Sequence, residues 1–280
     1  MLKFLGMCLG AFLGLLAGAL PSIAGVAIAS HRAIYELVLD EQNNKSGLAS
    51  ADGRMAFEIS GSSCDGWTVN FRMVNQFRPT DDKERLVDTR SSSWESGDGL
   101  QLRYAQSEFI DNAMDSETML SAKRDAGGGE GSGEVSKPEA KTFKIVPAAI
   151  FPVQHQFKLM TAAEHGNSRD ASVVFDGSDE ALAYKTISFI GARREPGKSG
   201  VAYSGKGADI LAGMASWPIS ISYYDDKPKP EDSGEQTPIY QVSFEMFANG
   251  VAGRLVLNYG DFSLRGKLSS LEFLEQPKCN

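Results

Sequence analysis

From Ala51 onwards, apolar and polar residues alternate with a period of two in one segment after another. This is the pattern of strands with one buried face and one wet face. Met55, Phe57 and Ile59 alternate with Arg54, Glu58 and Ser60. Trp67, Val69, Phe71 and Met73 alternate with Thr68, Asn70 and Arg72, and Leu100, Leu102 and Tyr104 with Gln101 and Arg103. Tyr240, Val242, Phe244 and Met246 repeat the pattern, followed by Leu255, Leu257 and Tyr259, then Phe262 and Leu264. Turn-forming pairs separate the runs: Asp52-Gly53, Gly61-Ser62, Asp98-Gly99, Asn249-Gly250 and Tyr259-Gly260-Asp261. So many strands with short turns predict a mainly β fold. The sheet should be large, antiparallel and curled, a spiral or half-barrel, because a flat sheet of that size exposes long edges.

One segment departs from the alternation. Pro152 to His165 contains no glycine, opens with proline at a first helical position and stops before Gly166-Asn167. Proline at the start and glycine just past the end mark a helix. Val153, Phe157 and Met160 fall on one stripe of it, with Gln154, Lys158, Thr161 and His165 towards the other side. One main helix in a strand-rich chain predicts a helix packed against or inside the curled sheet. A second, weaker helix is predicted near Phe109 to Leu120. Asp125 to Glu139 and Asp225 to Pro238 are Gly-, Pro- and charge-rich and read as long hairpin loops within one domain.

The first residues read as an address rather than as structure. Lys3 precedes an apolar run from Phe4 to Leu20, and a small-residue stretch ends in Ala27-Ile28-Ala29. That describes a secretory signal peptide spanning residues 1–29, with an alternative exit after Ala19, and leaves a single domain over residues 30–280. Cleavage removes Cys8 and leaves Cys64 and Cys279. An exported chain with an even number of thiols reads as a disulfide protein, two free thiols being the other reading.

The composition narrows the function class. Apolar residues make up 42 % of the 280-residue chain, enough for a sizeable core. A formal charge of −8, from 28 basic and 36 acidic residues, argues against nucleic acid. Gly191 to Ser199 resembles a phosphate loop but has one residue too many between its glycines, and reads as a basic turn. There is no Gly-x-Ser-x-Gly elbow. A triad assembled in space would have to draw on His31, His155 or His165. His31 lies close to the mature terminus, a poor platform. His155 and His165 are about 80° apart on a helix of ~3.6 residues per turn, which suits polar-side residues better than a shared zinc face. The carboxylates, Asp81-Asp82, Asp176 with Asp179 and Asp225-Asp226, lack calcium-loop spacing. Neither metal nor cofactor is implied. Trp67, Trp94 and Trp217, with Tyr223 and Tyr224, could line a groove, although aromatics on strands more often fill a core.

Four stretches carry a resemblance: Ala51 to Met73, containing Cys64-Asp65-Gly66-Trp67; Ser93 to Tyr104; Ile150 to Gly166 with Val173 to Glu180; and Thr237 to Cys279. Together they resemble the envelope-integrity protein B family of alphaproteobacterial periplasmic proteins, once catalogued as a domain of unknown function. The resemblance implies a monomeric curled β-sheet around a helix, similar in shape to periplasmic lipoprotein carriers. It also implies a disulfide joining Cys64 and Cys279, a role in envelope integrity and no enzymatic activity. The expectation is therefore a periplasmic, non-enzymatic protein that binds an apolar or acyl-bearing ligand or a periplasmic protein partner. Val153, Phe157 and Met160 should pack the helix onto the sheet and border the pocket. The competing expectation is a cell-wall or lipid hydrolase with a spatially assembled histidine site, and a structural scaffold stands third.

Overall fold

The computed structural model describes residues 26–43, 46–225, 236–277 and 279. Strands β1 (His31–Gln42), β2 (Leu48–Ser62), β3 (Gly66–Pro79) and β4 (Arg85–Glu95) are followed by β5 (Gln101–Ile110), β6 (Ala113–Lys123), β7 (Gly131–Lys137) and β8 (Lys141–Ile145). Each pairs antiparallel with the one before it. The two-residue β9 (Ala149–Ile150) leads into helix α1 (Pro152–Glu164). A second antiparallel meander then runs through β10 (Arg169–Val174), β11 (Tyr184–Ile190), β12 (Ser216–Tyr224), β13 (Tyr240–Phe247), β14 (Ala252–Asn258) and β15 (Phe262–Phe273). β9 lies parallel to β10, and β15 pairs with β1. All fifteen strands thus form one sheet, with β8 at one edge and β9 at the other.

Chain connectivity forces that sheet to roll up. Its two edges are separated in sequence only by residues 146–148. The Cα–Cα steps from Ile145 to Ala149 reach at most about 14 Å. The edges therefore meet in a seam. Across it the Phe143 and Phe175 rings stack at 5.4 Å, and Lys141 pairs with Glu180. Leu102, Leu120, Val135 and Ile145 from one meander share a core with Ala149, Phe151 and Phe175 from the other side.

Helix α1 fills the inside of this roll. Val153, Leu159, Met160, Ala162 and Ala163 pack with Ile59 and Trp67 on one side and with Ile190, Trp217, Ile219, Ile221 and Met246 on the other. Pro152 occupies the first turn, where no amide bond is lost, and no side chain of the helix caps it. Glu95, the last residue of β4, does so instead. Its two carboxylate oxygens accept the N–H groups of Val153 at 2.8 Å and Gln154 at 3.0 Å. At the far end Gly166, with φ 74°, lets Asn167 N–H reach the Ala162 carbonyl and Gly166 N–H that of Ala163, closing the helix in a Schellman motif.

Several local expectations are corrected. The weaker helix near Phe109 to Leu120 is a hairpin: β5 turns into β6 at Asp111 and Asn112, with φ 51° and 68°. Two consecutive residues at positive φ make the turn whose twist matches the flanking strands. Asp125 to Glu139 is not all loop, because it contains β7. Two of its three inward positions, Gly131 and Gly133, carry glycine, and a Cβ on Gly133 would sit 2.1 Å from the Phe143 ring. The ring fills the place an apolar side chain would have shown. Asp52-Gly53 lies within β2, not in a turn, with Gly53 paired to Leu37 and Asn75. Most of the stretch from Asp225 to Pro238, and the expected signal peptide up to residue 25, lie outside the described residues. Val26 packs on the core around α1, Ile28 is buried in it, and Ala29 N–H bonds Asn249 O at 3.0 Å.

Candidate functional site

A cavity of about 290 Å³ lies between α1 and the inner sheet face. Strand alternation supplies most of its wall, with Met55 and Phe57 from β2, Ile221 and Tyr223 from β12, Val242, Phe244 and Met246 from β13, and Leu255 from β14. The helix contributes Pro152, His155, Gln156 and Leu159, a stripe at i, i+3, i+4 and i+7. The expected stripe does something else. Val153 and Met160 are buried against the sheet, and half-buried Phe157 meets Trp67 edge-on at 5.5 Å. Val153, Phe157 and Met160 dock the helix, but none of them borders the cavity.

The histidines sit where sequence spacing does not place them. His31 is no loose terminal residue: it opens β1, is buried, and lines the cavity. Its Nδ1 lies 2.8 Å from the Ala29 carbonyl. A carbonyl only accepts, so Nδ1 carries the proton, and burial lowers the pKa of the ring. His155 is not a polar-side residue either, being 4 % exposed. Burial pushes it down to about 4, against the raising effect of the Asp170 charge. Its Nε2 lies 3.8 Å from Asp170 Oδ2, too far for a hydrogen bond, and has no partner. Asp170 accepts instead from Lys158 Nζ at 2.8 Å and from Ser172 Oγ at 2.7 Å. Serine, histidine and aspartate thus come together, but in the wrong order. A nucleophilic serine bonds to the histidine, and the carboxylate to the histidine's far side; here the serine donates to the carboxylate. His165 is exposed at the helix end, its Nδ1 2.7 Å from Thr161 O.

Asp176 also lines the cavity. Burial raises its pKa, while the N–H and hydroxyl of Ser178 bond its Oδ1 at 2.9 and 2.7 Å. Beside it begins a ladder of rings. Tyr184 and Tyr223 lie 6.3 Å apart, Tyr223 and Tyr240 5.7 Å, Tyr240 and Tyr259 5.2 Å, Tyr259 and Phe262 5.1 Å, and Phe262 and Phe77 5.8 Å. The register makes the ladder, since Tyr223 faces Tyr240 across β12 and β13. Burial raises the pKa of the tyrosines along it, Tyr259 up to about 12. Of the aromatics singled out from sequence, only Tyr223 reaches the cavity. Trp67 and Trp217 are core, Tyr224 faces Lys185 on the neighbouring strand, and Trp94 donates to Asp65 O at 3.3 Å under the Arg103 guanidinium. Tyr240 and Tyr259 were read in the sequence as strand residues and not as site candidates, although both stand at the ends of alternating runs. Among the described residues no three His, Cys, Asp or Glu side chains converge as metal ligands.

Cys64, in the turn between β2 and β3, stands at disulfide distance from Cys279, with S–S 1.96 Å and Cα–Cα 5.7 Å. The tail leading to Cys279 is laid along the sheet end. Leu274 N–H bonds Ser30 O at 2.8 Å, and the Gln276 amide bridges Ser30 N–H and Gly61 O at 3.0 and 2.6 Å.

The same architecture occurs in known proteins. The EipB-like family model matches residues 22–275. The chain is 32 % identical over 263 residues to the cell envelope integrity protein EipB of Brucella abortus, covering 94 % of this chain and 90 % of that one. A crystal structure from Brucella abortus, described as a β-barrel-like protein of a domain of unknown function, superposes with a TM-score of 0.81 at 31 % identity. That match covers 90 % of this chain and all of the other. With a family model matching residues 22–275, a relative aligned over 94 % of the chain and a shared fold, the chain belongs to the EipB-like family.

Proposed function

We propose that this protein is exported to the periplasm and helps keep the cell envelope intact without catalysis, by holding an apolar or acyl-bearing molecule in the cavity beside α1. The name of the Brucella relative supports the envelope role. The cavity carries the binding role: its walls are mainly apolar, and among the described residues no Ser, Thr, Cys, Lys or Arg lines it. A serine or cysteine hydrolase would need its nucleophile there beside His31 or His155, and Ser172 bonds Asp170 rather than His155. A mostly apolar concavity with a few polar groups is the usual form of a small-molecule site. The chain acts as a monomer, and a periplasmic protein that delivers or receives the ligand is its partner. The leader ends at Ala19 rather than Ala29, because Ile28 belongs to the core. The test is mass spectrometry of organic extracts from protein purified out of the periplasm. One apolar species at near-equimolar ratio supports the reading. Extracts matching those of an unrelated periplasmic protein would oppose it.

A further inference from the structure

We propose that the cavity selects a single-chain amphiphile with an uncharged, hydroxyl-bearing headgroup and discriminates against anionic ones such as fatty acids. The inference rests on the binding role proposed above and specifies its ligand class.

Size comes first. At about 290 Å³ the cavity lies at the small end of ligand pockets, near the 300 Å³ lower bound, and suits one chain rather than two. Charge comes second. An anionic headgroup drawn into a low-dielectric site needs a cation or several donors, or it keeps its water and stays out. Among the described residues no Lys or Arg lines this cavity, and the acidic side chain that does is Asp176. Burial disfavours the charged form of both lining histidines, so neither supplies a cation. His31 already uses Nδ1–H on the Ala29 carbonyl, which leaves Nε2 as an acceptor. A carboxylate ligand would thus face a like charge and no cation, and would rely on neutral donors such as the Tyr223 hydroxyl. A hydroxyl can donate to Asp176 or to His31 Nε2.

The approach is consistent with this. Asp176, Tyr223, Val242 and Phe244 are among the lining residues that are half-buried rather than fully buried. From Tyr223 the ladder runs through Tyr240 to Tyr259, which is 37 % exposed. Tyrosines present an apolar body and a polar tip, the surface along which an uncharged amphiphile can lie.

Isothermal titration of the mature protein with monolauroylglycerol and with laurate at neutral pH, each below its aggregation threshold, tests this with chain length held constant. The glyceride should bind at least about tenfold tighter. Asp176→Asn, checked for an unchanged melting profile, should narrow that gap several-fold by strengthening laurate binding. Val242→Phe, which adds bulk inside the cavity and leaves Asp176 in place, should weaken both. Laurate binding as tightly as the glyceride would overturn the selectivity and leave the apolar-ligand role standing. Binding of neither would overturn both. Unchanged binding to the Val242→Phe variant would place the site elsewhere and overturn the inference.

Discussion

Glu95 ties a strand to a helix through a carboxyl group that folding has almost removed from water, at 1 % exposure. Burial raises its pKa from 4.5 to about 7, against the lowering effect of the two helix N–H bonds and of Arg124. Folding therefore disfavours its ionised form. Its contribution to stability is fully present below pH 4.5 and is lost as pH rises through about 7. His155 acts in the opposite sense. Its pKa falls from 6.5 to about 4, so its contribution is present above pH 6.5 and lost as pH falls through about 4. A shift of that size corresponds to about 3 kcal/mol in each case, and over the shared window the two slopes largely cancel. Glu95→Gln should unmask the histidine. Relative to wild type, the variant should gain about 3 kcal/mol of stability between pH 4.5 and 7, read by urea unfolding at several pH values. Parallel curves for the two proteins would show that Glu95 does not titrate in this range.

At the scale of elements, helix α1 and the strands whose inward residues are large were legible in the sequence, because burial imposes a period on them. The elements that escaped had their periodicity erased for identifiable reasons. β7 presents Gly131 and Gly133 inward, with the Phe143 ring occupying the space over Gly133. The start of β6, Ala113–Lys123, is exposed on both faces, so its residues do not alternate. The helix stripe was legible as packing but not as a site: Val153, Phe157 and Met160 were identified, while the cavity face runs through Pro152, His155, Gln156 and Leu159. A helix whose exposed residues are confined to the Lys158, Thr161 and Glu164 stripe has more than one buried face to read. The docking role makes a graded prediction. Met160 is 3 % exposed and Phe157 half-buried. Met160→Ala should thus cost about 2–5 kcal/mol, and Phe157→Ala less despite the larger side chain removed. Thermal or urea unfolding of the two variants decides it. A larger loss from Phe157→Ala would mean that the Trp67 contact, not the inward stripe, anchors the helix.

For the whole molecule, a rolled sheet has three places to come apart: the β8/β9 seam, the β1/β15 junction and the C-terminal tail. The Cys64–Cys279 pair lies at the third, closing a separation of 215 residues and fixing the tail beside the β2–β3 turn. Chain-entropy arguments put such a closure at up to about 5 kcal/mol, a large part of a typical domain's ~5–15 kcal/mol. Cys279→Ser should lower the melting temperature by several degrees, and reductant should lower that of the wild type but not of the variant. Two alkylatable thiols in the unfolded, unreduced protein purified from its native cells would show that the tail is not covalently held. The roll also encloses the cavity, and the account turns on that cavity mattering to the envelope. The direct measurement is detergent sensitivity of a strain lacking the protein, complemented with wild type or with Val242→Phe, at matched protein levels and melting temperatures. The account predicts that the folded variant leaves the strain sensitive. Full restoration by a protein whose cavity is filled would contradict it.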